Sequence, residues 1–159
     1  MHIHFVCTGN GYRSRLAEAY LKSKLTKGKI KVSSSGIAAN ESRFDNGPIC
    51  WYAMKLIQKV KLIPYMSWKG NQTTKEILKN VDLLICMNNT HLEFCKKNFG
   101  FIKQYDVWDI PDLDEMKGYI PSDIPGIETD INHIKLTEKA FEVIMKKVDK
   151  LLAKILNKI

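Results

Sequence analysis

The 159-residue sequence contains little arginine, few cysteines and no long apolar run. No hydrophobic stretch approaches the roughly 20 residues that span a bilayer. The first residues lack the charged start, long apolar segment and cleavage site of a secretory signal. The four cysteines are not clustered, which argues against a disulfide framework and for a reducing compartment. We therefore expect a cytoplasmic protein with no membrane partner.

Signals for several other function classes are also missing. The four histidines form no ligand-spaced cluster with cysteines or carboxylates, so we expect no metal and no other cofactor. No Gly-x4-Gly-Lys-[Ser/Thr] loop for nucleotide hydrolysis occurs. The net charge is +8, but the lysines are spread over predicted helix faces, so we expect no nucleic-acid partner. A positive field favours phosphorylated or acidic substrates instead.

Length and composition indicate one domain over residues 1–159, without repeat or linker. We expect this domain to be a monomer or a weak dimer. Apolar residues at helical spacing alternate along the chain with strand-like runs. The helices are predicted over 14–25, from Pro48 to about 60, from 74 to 78, from 89 or 90 to 98, and after 130. The strands are predicted at the N-terminus, around Ile30 and Val32, over 81–87 and over 102–108, with a loop over 37–46.

This alternation predicts an α/β fold, a three-layer, doubly wound, four-stranded parallel sheet with helices on both faces. Ligands bind such sheets at the carboxyl ends of strands, beside a topological switch point. The loop after strand one is therefore the expected phosphate-binding site.

That loop is the most informative stretch of the chain. A β-prone apolar run ends at Cys7, two glycines and an asparagine follow, and a helical pattern begins at Leu16. Gly and Asn tolerate the left-handed backbone angles of a tight turn. A loop of this kind turns its N–H groups inward at a helix N-terminus and forms a nest for an anion. We call residues 7–14 the phosphate loop.

The side chains of the phosphate loop suit phosphoryl transfer. Cys7 as a thiolate is a nucleophile, and the helix N-terminus and nearby guanidinium favour that form. Arg13, one of only three arginines, offers a planar fork for two phosphoryl oxygens. Ser14 can donate a hydrogen bond to the sulfur, and Asn10 can lock the loop through neighbouring backbone. A phosphate in this nest lies in line with the sulfur, which implies a cysteinyl-phosphate intermediate.

The stretch Cys-Thr-Gly-Asn-x-x-Arg-Ser over residues 7–14 resembles the signature of the low-molecular-weight protein tyrosine phosphatases. Thioredoxin-coupled arsenate reductases share it. Further similar segments follow in order over nearly the whole chain: Ser-Ser-Ser-Gly at 33–36, Gly47-Pro48, Asp-Leu-Leu-Ile-Cys-Met at 82–87 and Trp-Asp-Ile-Pro-Asp at 108–112.

The resemblance implies a phosphatase acting on protein phosphotyrosine or other phosphomonoesters. Cys7 becomes phosphorylated, Arg13 binds the phosphoryl group, and Asp112 protonates the leaving oxygen. We expect the loop to be supported by Asn10, Ser14 and Ser35. The expected phosphate contacts are Thr8, Gly9, Asn10, Gly11, Tyr12, Arg13 and Ser14.

The chain departs from the family pattern in several places. Arg15 replaces the usual proline, which we expect to affect stability more than chemistry. Leu113 replaces the proline that usually follows the acid. Gly11 occupies the position that helps relatives to select phosphotyrosine or phosphoarginine, so a protein-arginine phosphatase is an open alternative. Phe44, Tyr12 and Trp108 are candidates for the wall of an aromatic-accepting cleft.

Two further alternatives have specific signals. An arsenate reductase needs two more cysteines, and Cys86 and Cys95 lie nine residues apart. Cys86 is inside an apolar strand, however, and Asn88 stands where the first partner cysteine is expected. The unusual residues around the phosphate loop also fit a phospho-ligand binding module that has lost turnover.

Overall fold

A four-stranded parallel sheet forms the centre of the fold in the computed structural model, which describes residues 1–25, 28, 30–41 and 49–156. The strands are β1 (His2–Cys7), β2 (Lys31–Gly36), β3 (Leu83–Cys86) and β4 (Gln104–Val107). Their order is β2-β1-β3-β4 and all pairs are parallel. The predicted doubly wound sheet is confirmed. Because β1 is an inner strand, Cys7 lies at its carboxyl edge between neighbouring strands.

Helices cover both faces of the sheet. They are α1 (Arg13–Lys24), α2 (Trp51–Lys59), α3 (Lys75–Lys79), α4 (Asn89–Phe99) and α5 (Ile127–Leu156). Successive residues of a strand point to opposite faces, so Phe5 enters the core beneath α1, α2 and α5, while Val6 enters the core beneath α3 and α4. This explains why both inner strands are buried at every position and why β3 is apolar throughout.

Several element boundaries differ from the prediction. The strand expected over 81–87 is the shorter β3, Leu83–Cys86, although the N–H groups of Asp82 and Met87 on either side still donate to carbonyls of β1 at 2.9 Å. α5 begins at Ile127 rather than after 130, and Glu128 and Asp130 in its first turn suit the positive end of a helix. Residues 39–41, expected in a loop, are helical, and the predicted helix start at Pro48 lies outside the described residues. In the ranges described, none of the helices, including the 30-residue α5, is apolar enough over a sufficient length to cross a membrane.

Gly36 at the end of β2 allows the phosphate loop to rest against the sheet. A Cβ atom at this position would lie 2.5 Å from the Thr8 carbonyl oxygen and 2.6 Å from the Asn10 nitrogen. The chain beyond Gly36 continues the contact, since the Ile37 N–H donates to the Cys7 carbonyl at 3.0 Å. Only glycine permits so close a backbone approach.

A buried histidine on β1 joins the first two strands through side chains. His4 is 1% exposed, and its two ring nitrogens are hydrogen-bonded to the hydroxyls of Ser33 and Ser35, each at 2.7 Å. Burial, together with the positive charges of His2 and Lys31, lowers the pKa of His4 to about 3. The imidazole is therefore neutral in the folded protein at neutral pH.

We predict that His4 makes the fold sensitive to acid. In the unfolded chain its pKa returns to about 6.5, so the unfolded state binds more protons than the folded state between that value and about 3. Stability should fall as the pH drops below about 6.5, and His4 alone should account for about 3 kcal/mol between pH 8 and pH 4. Urea unfolding of the wild type and of His4→Gln at both pH values measures this. Equal losses of stability in the two proteins would contradict the prediction.

Candidate active site

The Cys7 sulfur is surrounded by hydrogen-bond donors at the start of α1. Its Sγ lies 2.9 Å from the Ser14 hydroxyl, and the Asn10 backbone N–H donates to it at 3.3 Å. The Asn10 side-chain amide donates to the Ser14 oxygen at 2.8 Å, which leaves the hydroxyl proton of Ser14 for the sulfur. Donors of this kind stabilise a thiolate. The structure thus brings Asn10 and Ser14 against the nucleophile, as the sequence predicted.

Asn10 holds the phosphate loop in shape. Its φ of +53° is in the left-handed region, which asparagine tolerates better than most residues. Its side-chain amide nitrogen donates to Ser14 and to Ser34, each at 2.8 Å, and its side-chain oxygen accepts from the Asn71 N–H at 2.9 Å. Three separate segments of the chain therefore fix one loop residue.

The structure corrects the supporting role expected of Ser35. The Ser35 hydroxyl is hydrogen-bonded to His4 and, at 2.7 Å, to the Thr73 hydroxyl. The serine that contacts Asn10 is its neighbour Ser34. Adjacent residues of a strand point to opposite faces, so a run of three serines does not reveal which one reaches the loop.

Arg15, where the resemblance expects proline, is a second buried guanidinium beneath the phosphate loop. It is 2% exposed and donates to the Asn10 carbonyl at 3.4 Å and to the Ser67 carbonyl. Burial lowers the pKa of Arg15, whereas the negative charges of Glu18 and Cys7 raise it. These bonds tie the first turn of α1 to the phosphate loop and to Ser67.

Arg13 and Asp112 form an ion pair at the mouth of the loop. One Arg13 nitrogen donates to the Ile110 carbonyl at 2.8 Å, and another lies 2.5 Å from the Asp112 carboxylate. Arg13 is 2% exposed, whereas Asp112 is 37% exposed. The carboxylate contacts one terminal nitrogen of the guanidinium, and the other donates to the Ile110 carbonyl. A phosphoryl group that binds the same nitrogen as Asp112 must displace this carboxylate.

The segment that carries Asp112 is fixed by the sheet and by its own turn. The Ile110 N–H donates to the Met87 carbonyl at 2.8 Å, which ties the segment to the end of β3. Asp112 caps a short 3₁₀ helix, Leu113–Glu115, by accepting from the Leu113 N–H at 2.9 Å. Leu113, found where the family usually has proline, is buried beneath this turn.

Two of the three aromatic residues expected to wall the cleft are buried instead. Trp108 is 3% exposed and packs edge-on against Phe5, with ring centres 5.4 Å apart. Tyr12 is 5% exposed and packs edge-on against Tyr52 at 5.8 Å. Phe44 lies outside the described residues. The ring of Tyr12 therefore packs in the core rather than lining a cleft.

Cys50, which the sequence did not single out, closes one side of the loop. Its N–H donates to the Gly11 carbonyl at 2.9 Å, and a Cβ added to Gly11 would lie 3.3 Å from its sulfur. Burial raises the pKa of the Cys50 thiol. The thiol is therefore a small apolar neighbour of Gly11 rather than a second nucleophile.

His91 is a second contact that sequence analysis missed. Its Nε2 lies 3.0 Å from the Thr8 hydroxyl, although 83 residues separate the two. His91 is 1% exposed, and burial together with the Arg13 charge lowers its pKa to about 4. The sequence carries only its spacing from Asn88, which is typical of a reciprocal helix cap.

The remaining cysteines lie on the other side of the sheet. Cys86 and Cys95 are buried in the core beneath α3 and α4, whereas Cys7 and Cys50 belong to the opposite core. This separation gives no support to a thiol relay from Cys7. In the part of the chain that the structure describes, no three His, Cys, Asp or Glu side chains are grouped to hold a metal ion.

Known proteins resemble this chain in sequence and in fold. The family model for low molecular weight phosphotyrosine protein phosphatases matches residues 2–159. A protein-arginine-phosphatase of Bacillus subtilis is 32% identical over 103 residues, which cover 63% of this chain and 64% of that relative. The alignment thus spans just under two thirds of the relative.

Solved structures share the fold. A low molecular weight protein tyrosine phosphatase from Streptococcus pyogenes matches with a TM-score of 0.68 and 17% identity, over 96% of this chain and 91% of that one. An arginine phosphatase from Geobacillus stearothermophilus matches with a TM-score of 0.64 and 24% identity, over 98% of this chain and 96% of that one. Because the family model matches almost the whole length of this chain, the chain belongs to the low molecular weight phosphotyrosine protein phosphatase family.

Proposed function

We propose that this chain is a phosphatase that hydrolyses protein phosphotyrosine and other phosphomonoesters through a phosphocysteine at Cys7. One observation carries the proposal: the Arg13 guanidinium lies in the same loop as the Cys7 thiol and already pairs, through one nitrogen, with the Asp112 carboxylate. A nucleophile, an anion-binding fork and an acid therefore share one site.

The first step transfers the phosphoryl group to sulfur. Phosphoryl oxygens bind the loop N–H groups and Arg13, which releases Asp112 from the ion pair. The Cys7 thiolate attacks phosphorus opposite the leaving oxygen, so an S–P bond forms as the P–O bond breaks. The released Asp112 carboxylate takes a proton from solvent and, as a carboxylic acid, gives it to the leaving oxygen, since an alkoxide or phenoxide is a poor leaving group near neutral pH.

The second step releases phosphate. The Asp112 carboxylate, now without its proton, takes one from a water molecule whose oxygen attacks phosphorus. The P–S bond breaks and the electrons return to Cys7 as a thiolate. The Ser14 hydroxyl, 2.9 Å from the sulfur, donates to it as the negative charge returns. Phosphate then leaves, Asp112 gives the proton taken from water to the solvent, and the ion pair of Arg13 and the Asp112 carboxylate forms again.

A protein-arginine phosphatase is the second candidate. The relative that is 32% identical carries that activity in its name. In addition, Tyr12 and Trp108 are buried rather than lining an aromatic cleft, and acidic residues, Asp114 and Glu115, follow Asp112. Acidic side chains attract a leaving group that departs as a cationic guanidinium more strongly than one that departs as a neutral phenol.

We further propose a cytoplasmic location and a monomer or weak dimer. All four cysteines are free thiols in the structure, which supports a reducing compartment. Size-exclusion chromatography and cell fractionation test these two points.

Cys7→Ser should abolish turnover of p-nitrophenyl phosphate, because a serine hydroxyl is a far weaker nucleophile than a thiolate here. The assay compares the wild type with the variant in the presence of a chelator, and Cys86→Ser is the matched control on the other face of the sheet. A folded wild type as inert as Cys7→Ser would contradict the phosphatase. Peptides with phosphotyrosine or phosphoarginine, assayed in the same way, decide the substrate class.

Asp112→Asn should lower kcat by about 10²–10³-fold, because the amide cannot supply a proton to the leaving oxygen. Inhibition by orthophosphate should become several-fold stronger, because no carboxylate then competes for Arg13. Kinetics with p-nitrophenyl phosphate measure both effects. Asp114→Asn, which changes an exposed acid two residues away, is the control. A larger kcat loss in the control than in Asp112→Asn would assign the acid elsewhere.

A further inference from the structure

We propose that His91 is a positioning residue that fixes the Thr8 hydroxyl as a hydrogen-bond donor to the phosphoryl group in the phosphate loop. The inference rests on the proposed function. It concerns a residue that lies far from the loop in sequence and that reaches it only because β1 and β3 are neighbours.

The helix cap determines which ring nitrogen of His91 carries the proton. The Asn88 backbone N–H points at His91 Nδ1 at 3.1 Å, and the Asn88 side-chain oxygen accepts from the His91 N–H at 3.2 Å. A backbone N–H can only donate, so Nδ1 is the acceptor. In a neutral imidazole the proton is then on Nε2, which must donate to the Thr8 hydroxyl oxygen.

The Thr8 oxygen also accepts from Arg13. The Arg13 nitrogen that pairs with Asp112 is 3.4 Å from the Thr8 oxygen. A hydroxyl oxygen has two acceptor positions and one proton. With His91 and Arg13 at the acceptor positions, the Thr8 proton is left for a third partner.

The bound phosphoryl group supplies that partner. Thr8 is exposed and directly follows Cys7 in the loop that holds the anion. A hydroxyl that donates to a phosphoryl oxygen makes a charge-assisted hydrogen bond, which is stronger than a neutral one. His91 therefore contributes to phosphate binding without touching the phosphate.

Four variants separate this role from a purely structural one. His91→Asn keeps an acceptor at the position of Nδ1 but removes the Nε2 donor. His91→Gln places an amide donor near the position of Nε2 and loses the cap acceptor. Thr8→Val removes the hydroxyl at nearly constant shape. Asn88→Ala removes the side-chain acceptor of the cap and leaves the imidazole donor in place.

The measurements are the Kd of orthophosphate by calorimetry and the Tm, each on the full chain. We expect His91→Asn and Thr8→Val each to weaken orthophosphate binding about tenfold, as the loss of a hydrogen bond to a charged group predicts. The double variant should bind like Thr8→Val alone. His91→Gln should recover most of the affinity, and Asn88→Ala should lower the Tm by about 2–4 °C with the Kd within twofold of the wild type.

Three results would overturn the inference: wild-type affinity in His91→Asn, additive losses in the double variant, or an equal loss of affinity in Asn88→Ala. In each of these the wild type still binds orthophosphate, so the proposed phosphatase stands. A wild type that binds no orthophosphate and hydrolyses no p-nitrophenyl phosphate would overturn the proposed function and this inference together.

Discussion

The hydrogen bonds of Asn10 are the constraint on which the phosphate loop depends. All four of its polar groups are bonded: to Cys7, to Arg15, to Asn71, and to the pair Ser14 and Ser34. A non-glycine residue with left-handed backbone angles costs free energy, and the turn keeps this conformation only because such bonds hold it. Because one of these bonds ends on the sulfur, the scaffold that shapes the anion site also orients the nucleophile.

The positive charge of Arg13 is paired with Asp112 in the unliganded site and with the phosphoryl group when substrate binds. In the structure the guanidinium is held by Ile110 and neutralised by Asp112, so a buried cation is never left unpaired. Exchange of this carboxylate for a phosphoryl group keeps the cation paired and releases the Asp112 carboxylate, which then takes up the proton that the leaving group needs. Binding and proton supply are thereby coupled through one side chain.

The sequence predicted the parallel sheet and the loop after β1 with Cys7 and Arg13, because these follow from local patterns and one motif. It was the resemblance to the phosphatase family that led us to expect Asp112 beside them. The sequence did not predict Ser34 in place of Ser35, since the choice depends on which strand face meets α1. Nor did it predict the burial of Trp108 or the contact between His91 and Thr8. Those depend on how distant segments pack, which spacing along the chain does not encode.

The central claim is that phosphorus passes through the sulfur of Cys7. Acid quenching of Asp112→Asn during turnover of p-nitrophenyl phosphate, followed by peptide mass spectrometry, tests this most directly. The account predicts one phosphoryl group on the peptide that contains Cys7, because the variant cannot activate water for the second step. A protein that hydrolyses the ester and carries no label, or carries it on another residue, would contradict the account.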